Sequence, residues 1–283
     1  MKQVKLFLMS MAAVVLVSCG TTKTVPITGR QQNLMVSDDQ VLGLSFQQYS
    51  DYMKTAKPST NKANTEMVKR VGKRIASAVE SYLTKNGMAE DVKTYAWEFN
   101  LVQDKQVNAW CMPGGKIVVY EGLLPVTKDE SSLAIVMGHE IAHAVARHSA
   151  ERLSNAYKEQ YGAAALGALL SGAGVSSGWQ QLIGIVHQYG GQILVSGFSR
   201  KQESEADHIG LIFAAMAGYD PQVAVNFWQR MSSATGGGSN SIFADHPSDA
   251  TRIQQIQRWL PEALQYYNPK TKAVSKKAVI KKH

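Results

Sequence analysis

We predict a mostly helical α+β fold with one small sheet for this chain of 283 residues. Apolar residues recur at helical spacing in most segments after residue 38, whereas β-type patterns are confined to residues 94–120. The composition is 45% hydrophobic and 18% charged, which is typical of a globular chain and excludes disordered or collagen-like proteins. The chain is long enough to bury one large core or two small ones.

The formal net charge of +8 comes from the two ends of the chain. Residues 1–18 hold two lysines and no acid, and residues 268–283 hold six lysines and no acid. The residues between them are therefore neutral overall. Because a neutral body lacks the basic face that nucleic-acid binding requires, we exclude nucleic acid as a partner. We interpret residues 268–283 as a basic, disordered tail.

The first residues have the pattern of a secretory signal peptide, which we assign to residues 1–18. Two lysines precede an apolar run from Leu6 to Val17 that is too short to span a bilayer. The run leads to Cys19 and resembles the lipobox of bacterial lipoproteins, in which the cysteine receives the lipid. The alternative is an ordinary signal peptide with an incidental cysteine. The resemblance implies a lipid anchor at Cys19 and a periplasm-facing location, at the outer membrane of a bacterial cell envelope. Residues 19–36 would form an anchored linker.

A folded domain is predicted over residues 37–267, beginning with two helices. Residues 38–55 and residues 62–85 each place apolar side chains at helical spacing along one face. Cys111 would be the one cysteine of this domain, so no internal disulfide can form. We expect Cys111 to act as a buried small hydrophobic residue and not as a nucleophile.

The strands are predicted next. Residues 94–102 alternate between apolar and polar side chains. Residues 108–112 and 116–120 are apolar runs on either side of Pro113-Gly114-Gly115, a combination that predicts an antiparallel hairpin. We expect the second strand of this hairpin to lie at the edge of the sheet.

The remaining elements are predicted to be helices. Thr127 to Glu130 has the S/T-x-x-E form of a capping box, so we predict a helix from there to about Leu153. Residues 156–195 are rich in Ala, Gly and Leu, and we predict a helical pair packed on the core. A surface that contacts membrane or client proteins is the alternative. Breaks that contain Gly or Pro separate three more predicted helices, at residues 201–217, 221–232 and 249–265.

His139, Glu140 and His143 form the pattern H-E-x-x-H inside the capped helix. Because the two histidines are one turn apart, both rings project from the same face and can bind one Zn²⁺. Glu140 lies at the edge of that face, where its carboxylate can take a proton from water that the metal has acidified. The alternative is a pair of surface histidines that bind no metal. Arg147, one turn after His143, is expected on the same face, paired with an acid, and a solvated charge is the alternative.

A catalytic zinc site usually has three protein ligands, so a third must be found. His148 follows His139 by nine residues, about half a turn out of phase on a continuous helix, so we expect it to point to the opposite side. Ala146 and Ser149 occupy the positions where the metzincin pattern has Gly and His, so that pattern is absent. The third ligand must come from another segment.

The segment from Ser199 to Gly210 holds the candidate carboxylates. Glu203 and Asp207 are four residues apart and share a helix face. One can bind zinc, while the other accepts the ring N–H of a ligating histidine and thereby selects its tautomer. Glu205 is about 200° from Glu203 around the helix, so the two cannot both face the metal. For each carboxylate, an exposed helix charge is the alternative.

Together these motifs resemble the gluzincin zinc metallopeptidase family, which includes HtpX, the CAAX prenyl endopeptidases, the Oma-type mitochondrial inner-membrane proteases and periplasmic BepA. The resemblance covers about residues 25–265 and rests on motifs that occur in the same order: Val25 to Arg30, Asn108-Ala109, Pro113-Gly114-Gly115, H-E-x-x-H and the Glu203 segment. It implies a zincin-like metallopeptidase fold with one zinc ion per chain. The chain lacks the tetratricopeptide half of BepA, so BepA's partner contacts are not expected here.

The resemblance also implies roles for single residues. Glu203 would be the third zinc ligand, and Asp207 would support a zinc histidine. His246, in a His-Pro pair, and Arg252, six residues later, match a motif of periplasmic members. In that motif the histidine reaches the zinc, either as an occluding fourth ligand or as a donor to the transition state. An extended substrate would add to the predicted edge strand, which consists of Lys116, Ile117, Val118, Val119 and Tyr120.

Two functions are compatible with these motifs. The first is a zinc-dependent endopeptidase that hydrolyses peptide bonds of misfolded or stalled envelope proteins, with Glu140 as the base. The second is a chaperone-like factor for outer-membrane assembly, in which proteolysis is latent because His246 occludes the zinc. Expected partners are protein or peptide substrates, a membrane reached through the anchor, and assembly machinery.

Overall fold

The computed structural model describes residues 21–171, 176–189, 192–235 and 250–269. The predicted signal peptide, Cys19, His246 and all but the first two residues of the predicted tail lie outside these ranges. Within them, helices dominate and two small sheets are present, which confirms the predicted fold class.

The helices follow the apolar spacing of the sequence closely. The first two are capped by Ser37 and Asn61, whose side chains accept hydrogen bonds from backbone N–H groups of the first turn. The helices are α1 (Asp38–Thr55), α2 (Lys62–Lys85), α3 (Ala89–Val92), α4 (Leu124–Thr127), α5 (Glu130–Val145), α6 (His148–Ser171), α7 (Ser176–Gln188), α8 (Arg200–Met216), α9 (Val223–Thr235) and α10 (Ala250–Tyr266).

The larger sheet has three strands: β3 (Glu98–Val102), β4 (Ala109–Met112) and β5 (Lys116–Tyr120). The hairpin between β4 and β5 is antiparallel, as predicted. The expectation that β5 lies at the edge is wrong, because β3 pairs with it in parallel on its other side. Both of its backbone edges are therefore used, and the substrate role predicted for Lys116, Ile117, Val118, Val119 and Tyr120 has no free edge. The strands at the edges of this sheet are β3 and β4.

Helix α5 lies at the centre of the core. Every residue from Ser132 to Val145 is buried, because α2, α8 and β4 pack around the helix. Helices α5 and α8 approach each other closely, because a Cβ atom added to Gly138 would lie 2.6 Å from the carbonyl oxygen of Gly210. Two glycines therefore let the backbones of these helices touch beside the H-E-x-x-H motif.

Both ends of α5 differ from the prediction. Its N-cap is Asp129, whose side chain accepts from the Ser132 N–H, whereas Thr127 ends the short helix α4. The helix ends at Val145, and Arg147 adopts a left-handed φ of 54° before α6 begins. No Gly or Pro marks this break. A tertiary contact satisfies the backbone at this helix end instead, since the Gln32 Nε2 donates to the Ala146 carbonyl at 2.7 Å.

Residues 21–34, which were expected to form a linker, fold into an antiparallel hairpin of β1 (Thr21–Thr24) and β2 (Gln31–Leu34). The turn between the strands packs onto the body of the protein, and Val25 is only 1% exposed in the main core. The segment is therefore part of the folded unit.

Helices α6 and α7 form the expected pair and pack together over a second apolar cluster that includes Leu153 and Ile185. Within the described ranges, none of the helices combines the length and the apolar character that crossing a bilayer would require.

Candidate metal centre

Helix α5 brings both histidines of the motif to one point. His139 and His143 are each 1% exposed, and their Nε2 atoms lie 3.1 Å apart. Glu140, which lies between them in the sequence, is buried to the same extent. The one-turn spacing thus has the effect predicted for it: both rings converge on one side of the helix.

Helix α8 supplies the third group. The Oε2 atom of Glu203 lies 3.5 Å from the His139 Nε2, and its Oε1 atom lies 3.4 Å from the His143 Nε2. The capping box of Ser199 and Gln202 starts this helix, which places Glu203 in its buried first turn. In the described ranges, these three residues form the group whose ligand atoms all lie within 4.8 Å of one another.

The three side chains can surround one metal ion. Zinc–nitrogen and zinc–oxygen bonds are about 2.0–2.1 Å long, so neighbouring donors of a tetrahedral site are separated by about 3.3 Å. The two Nε2 atoms are 3.1 Å apart, close to that value, and each lies 3.4–3.5 Å from a different oxygen of Glu203. Two imidazoles and one carboxylate are also the donor set of known catalytic zinc sites. The residues present therefore suit Zn²⁺.

Asp207 supports the first histidine. Its Oδ1 lies 2.9 Å from the His139 Nδ1 and accepts from the Arg252 Nη2 at 2.5 Å. Arg252 is 4% exposed and stacks on Trp228, with 3.5 Å between the guanidinium carbon and the ring centroid. Burial by itself lowers the pKa of His139, but the hydrogen bond and charge of Asp207, together with Glu203, raise it to about 9. The carboxylates thus make this ring a better partner for a cation.

The second histidine has a different environment. Its Nδ1 lies 2.8 Å from the Nδ1 of His148, and the His148 Nε2 lies 3.0 Å from the Glu205 Oε2. Burial lowers the pKa of His143 well below its usual range, so its ring is neutral near pH 7 and has a lone pair to offer. The expectation that His148 points away from the motif is wrong, because the break at Arg147 turns α6 and carries His148 back to His143.

Arg30, from the N-terminal hairpin, ends this chain of contacts. Its Nη2 binds the Glu205 Oε2 at 2.7 Å and its Nη1 binds the Glu151 Oε1 at 2.7 Å. The Thr28 hydroxyl also donates to Glu205, at 2.6 Å. Although burial raises the pKa of Glu205, hydrogen bonds from His148, Arg30 and Thr28 lower it to about 2. Sequence reasoning missed this network, although it had noted both the acid between Glu203 and Asp207 and the motif from Val25 to Arg30.

Two further predictions concern residues beside the centre. Arg147 pairs with acids, as expected, but they are Asp38 and Asp91, which belong to α1 and α3 and not to the metal centre. Cys111 is 3% exposed, and burial together with the nearby charge of Glu140 raises the pKa of its thiol well above the usual value. The thiol is therefore protonated, as expected for a buried side chain that is not a nucleophile.

A cavity of about 280 Å³ opens beside Glu203, between α8 and α10. Its lining residues are Arg200, Glu203, Ser204, Asp207, Thr251, Arg252 and Gln255. Strand β5 does not line this cavity. The roles predicted for His246 at the metal and for Cys19 as a lipid anchor fall outside the described residues.

Comparison with curated proteins gives several relatives that are named as peptidases. The chain is 38% identical to the mitochondrial metalloendopeptidase OMA1 of Schizosaccharomyces pombe over 247 residues, which is 84% of this chain and 66% of that protein. It is 31% identical to the metalloprotease LoiP of Escherichia coli over 228 residues, which is 80% of this chain and 82% of that protein. It is 29% identical to the beta-barrel assembly-enhancing protease of Yersinia pestis, over 68% of this chain and 38% of that protein.

The chain spans between about a third and two thirds of the OMA1 proteins of two yeasts and Arabidopsis thaliana. The comparison also corrects the predicted location. Six of the relatives, from Schizosaccharomyces pombe to Danio rerio, are named as mitochondrial enzymes. This finding overturns the prediction of a location at a bacterial outer membrane.

The sequence pattern that defines Peptidase family M48 matches residues 63–260. The match includes the H-E-x-x-H helix, Glu203, Asp207 and Arg252, and it confirms the resemblance drawn from the motifs. Since this match covers well over half of the chain, the protein belongs to peptidase family M48.

Proposed function

We propose that the protein is a zinc-dependent endopeptidase that hydrolyses peptide bonds of misfolded or stalled proteins. One observation carries the proposal: His139, His143 and Glu203 bring their ligand atoms within 4.8 Å of one another, and Glu140 lies on the same helix as the two histidines. The intact H-E-x-x-H motif distinguishes such a centre from a purely structural metal site, which needs no glutamate beside its ligands.

When bound, Zn²⁺ would supply Lewis acidity that polarises a peptide carbonyl and lowers the pKa of water. His139, His143 and Glu203 would hold the ion, and Asp207 orients the His139 ring through its Nδ1. Glu140 would take a proton from the attacking water and pass it to the leaving amine. Burial of these residues excludes bulk water, which strengthens each electrostatic interaction.

The substrate needs a free strand edge or a cleft. We place it along β4, because β4 is an edge strand of the sheet and packs against α5, whereas β5 is central. A peptide that adds to β4 would run past the H-E-x-x-H helix in an extended conformation, which is the usual geometry of strand addition. A donor or occluding role for His246 stays a prediction.

A chaperone-like assembly factor with latent proteolysis is the second candidate. Its support is the burial of the centre, since His139, Glu140 and His143 are each 1% exposed. A relative from Yersinia pestis is also named as an assembly-enhancing protease. In this function the client is held, and cleavage follows only when the centre opens.

The variant Glu140→Gln tests the first function. It removes the base but keeps the shape of the side chain, so we expect hydrolysis of unfolded casein to fall by at least about 100-fold. Zinc content, measured by atomic absorption, should stay at the wild-type level. Glu130→Gln is the matched control, because Glu130 lies in the first turn of the same helix and pairs with Arg70.

A Glu140→Gln variant that hydrolyses casein at the wild-type rate would contradict the proposed role of Glu140 as the base. The same variant separates the two functions in cells that lack the wild-type protein. Growth restored by Glu140→Gln would favour the assembly factor, whereas failure to restore growth, with normal protein levels, would favour the endopeptidase.

A further inference from the structure

The two metal histidines are supported in different ways. The Nδ1 of His139 meets the carboxylate of Asp207 directly, at 2.9 Å. The Nδ1 of His143 instead meets a second imidazole, that of His148, at 2.8 Å. Two ring nitrogens this close, with no metal ion between them, form a hydrogen bond that has one donor and one acceptor. The direction of this hydrogen bond therefore decides which nitrogen of His143 carries the proton.

We propose that Glu205, held by Arg30, selects the metal-binding tautomer of His143 through the ring of His148. The proposal rests on the proposed metal centre and adds positioning residues to it. Arg30 and Glu205 do not touch the donors themselves, and they act through the orientation of one proton on each ring.

The tautomers follow in order from the carboxylate. Arg30 and Thr28 both donate to Glu205, so its oxygens are acceptors. The His148 Nε2, at 3.0 Å from the Glu205 Oε2, must then be the donor. With its proton on Nε2, neutral His148 has a bare Nδ1, which accepts from the Nδ1–H of His143. His143 is thereby left with a bare Nε2, the atom that faces His139 and Glu203.

Burial makes this selection effective. His148 is 0% exposed and Glu205 is 8% exposed, so water does not compete for the ring nitrogens. The network also spans three parts of the chain: the turn of the N-terminal hairpin, the first residue of α6 and the second turn of α8. Metal binding by the histidines of α5 thus depends on the contacts that the N-terminal hairpin makes with Glu205.

The first test reads the tautomers in the wild-type chain without metal. Two-dimensional 1H–15N spectra of the histidine rings distinguish a proton on Nδ1 from one on Nε2. We expect His143 to carry its proton on Nδ1 and His148 on Nε2. The opposite tautomer on either ring would overturn the proposal, and this result does not depend on the folding of any variant.

The second test measures zinc affinity by competition with a chelator. Glu205→Gln removes the negative charge that binds Arg30 and puts an amide NH2 group among donors, which weakens the selection. We expect its zinc affinity to fall by about 10- to 100-fold, the usual effect of losing such a support. The matched control is Glu262→Gln. The Glu262 Oε2 lies 2.6 Å from the Nε2 of His208, a histidine that does not belong to the metal centre. The affinity of this variant should stay within about twofold of wild type.

Equal zinc affinities for Glu205→Gln, Glu262→Gln and wild type would refute the proposal and leave the metal centre intact. A wild-type chain that binds no zinc would instead refute the proposed metal centre. A loss in Glu205→Gln together with the expected ring tautomers would support both.

Discussion

At the residue scale, three acids of helix α8 contact three different groups. Glu203 faces both histidines, Asp207 binds the ring of His139, and Glu205 points away toward His148. Helical geometry predicts that Glu203 and Asp207 share a face and that Glu205 does not. It cannot predict what Glu205 meets on the other face, because His148 and Arg30 come from distant segments.

Asp207→Asn tests the support of His139. The change keeps the shape of the side chain but removes the charge that faces Arg252, which is 4% exposed. Removing one partner of a buried pair costs about 3–5 kcal/mol, so we expect the free energy of unfolding to fall by about that amount. The measurement is urea unfolding of the metal-free protein. Asp51→Asn is the control, because its pair with Lys54 is exposed and should change stability by under about 1 kcal/mol.

An Asp207→Asn variant as stable as Asp51→Asn would show that Asp207 does not balance the buried charge of Arg252.

At the scale of elements, the contact between α5 and α8 controls the geometry of the centre. A Cβ atom at Gly210 would lie 2.6 Å from the backbone nitrogen of His139, so backbone atoms and not a flexible side chain would have to move. The helices carry His139 and Glu203, and any change in their separation alters the distances between donors. Small residues at this crossing are thus needed for the observed distances between the three candidate ligands.

Gly210→Ala should therefore weaken both folding and metal binding. Steric overlap in a packed core typically costs about 1–3 kcal/mol, and we expect the free energy of unfolding to fall by at least this much. Gly184→Ala is the control, because the nearest atom to its added Cβ is the Tyr161 hydroxyl at 4.0 Å. That change should raise stability by up to about 1 kcal/mol, since Ala favours helix more than Gly. Urea unfolding measures both, and similar stability changes in the two variants would contradict the close contact.

At the scale of the whole molecule, the N-terminal hairpin holds the helical body together. Arg30 binds Glu151 of α6 and Glu205 of α8, and the Gln32 side chain binds the carbonyl of Ala146 after α5. Much of this attachment depends on charge. Burial raises the pKa of Glu151, but hydrogen bonds from Arg30 and Gln202 outweigh it, and the pKa of Glu151 is lowered.

The attachment should weaken in acid. A carboxylate whose folded pKa is lowered adds stability above its unfolded pKa, which is about 4.3, and loses it as the pH falls through the folded pKa. We therefore expect Glu151→Gln to be less stable than wild type at pH 6, with a difference that shrinks toward pH 3. Urea unfolding at several pH values measures the difference. Glu90→Gln, from an exposed pair with Lys93, is the control and should differ little at any pH. A constant difference for Glu151→Gln would refute the ionic attachment.

Local sequence patterns were sufficient to predict much of this structure. The spans of α1 and α2, the β4–β5 hairpin and the convergence of His139 and His143 follow from periodicity, turn residues and one-turn spacing. These features depend on neighbours within a few residues, and for that reason they could be predicted. The match to family M48 rests on the same motifs.

Long-range contacts decided the rest. The parallel pairing of β3 with β5, which makes β5 central, joins segments that no local signal links. The break after Val145 occurs without Gly or Pro, because Gln32 and the acids that bind Arg147 replace the lost helical contacts. That break turns His148 toward His143, so the support of the second histidine exists only in the folded chain. Arg30 and Glu205 complete this support although they are separated by 175 residues in the sequence. They meet only in the folded chain, where a charge removed from water must be paired with an opposite charge.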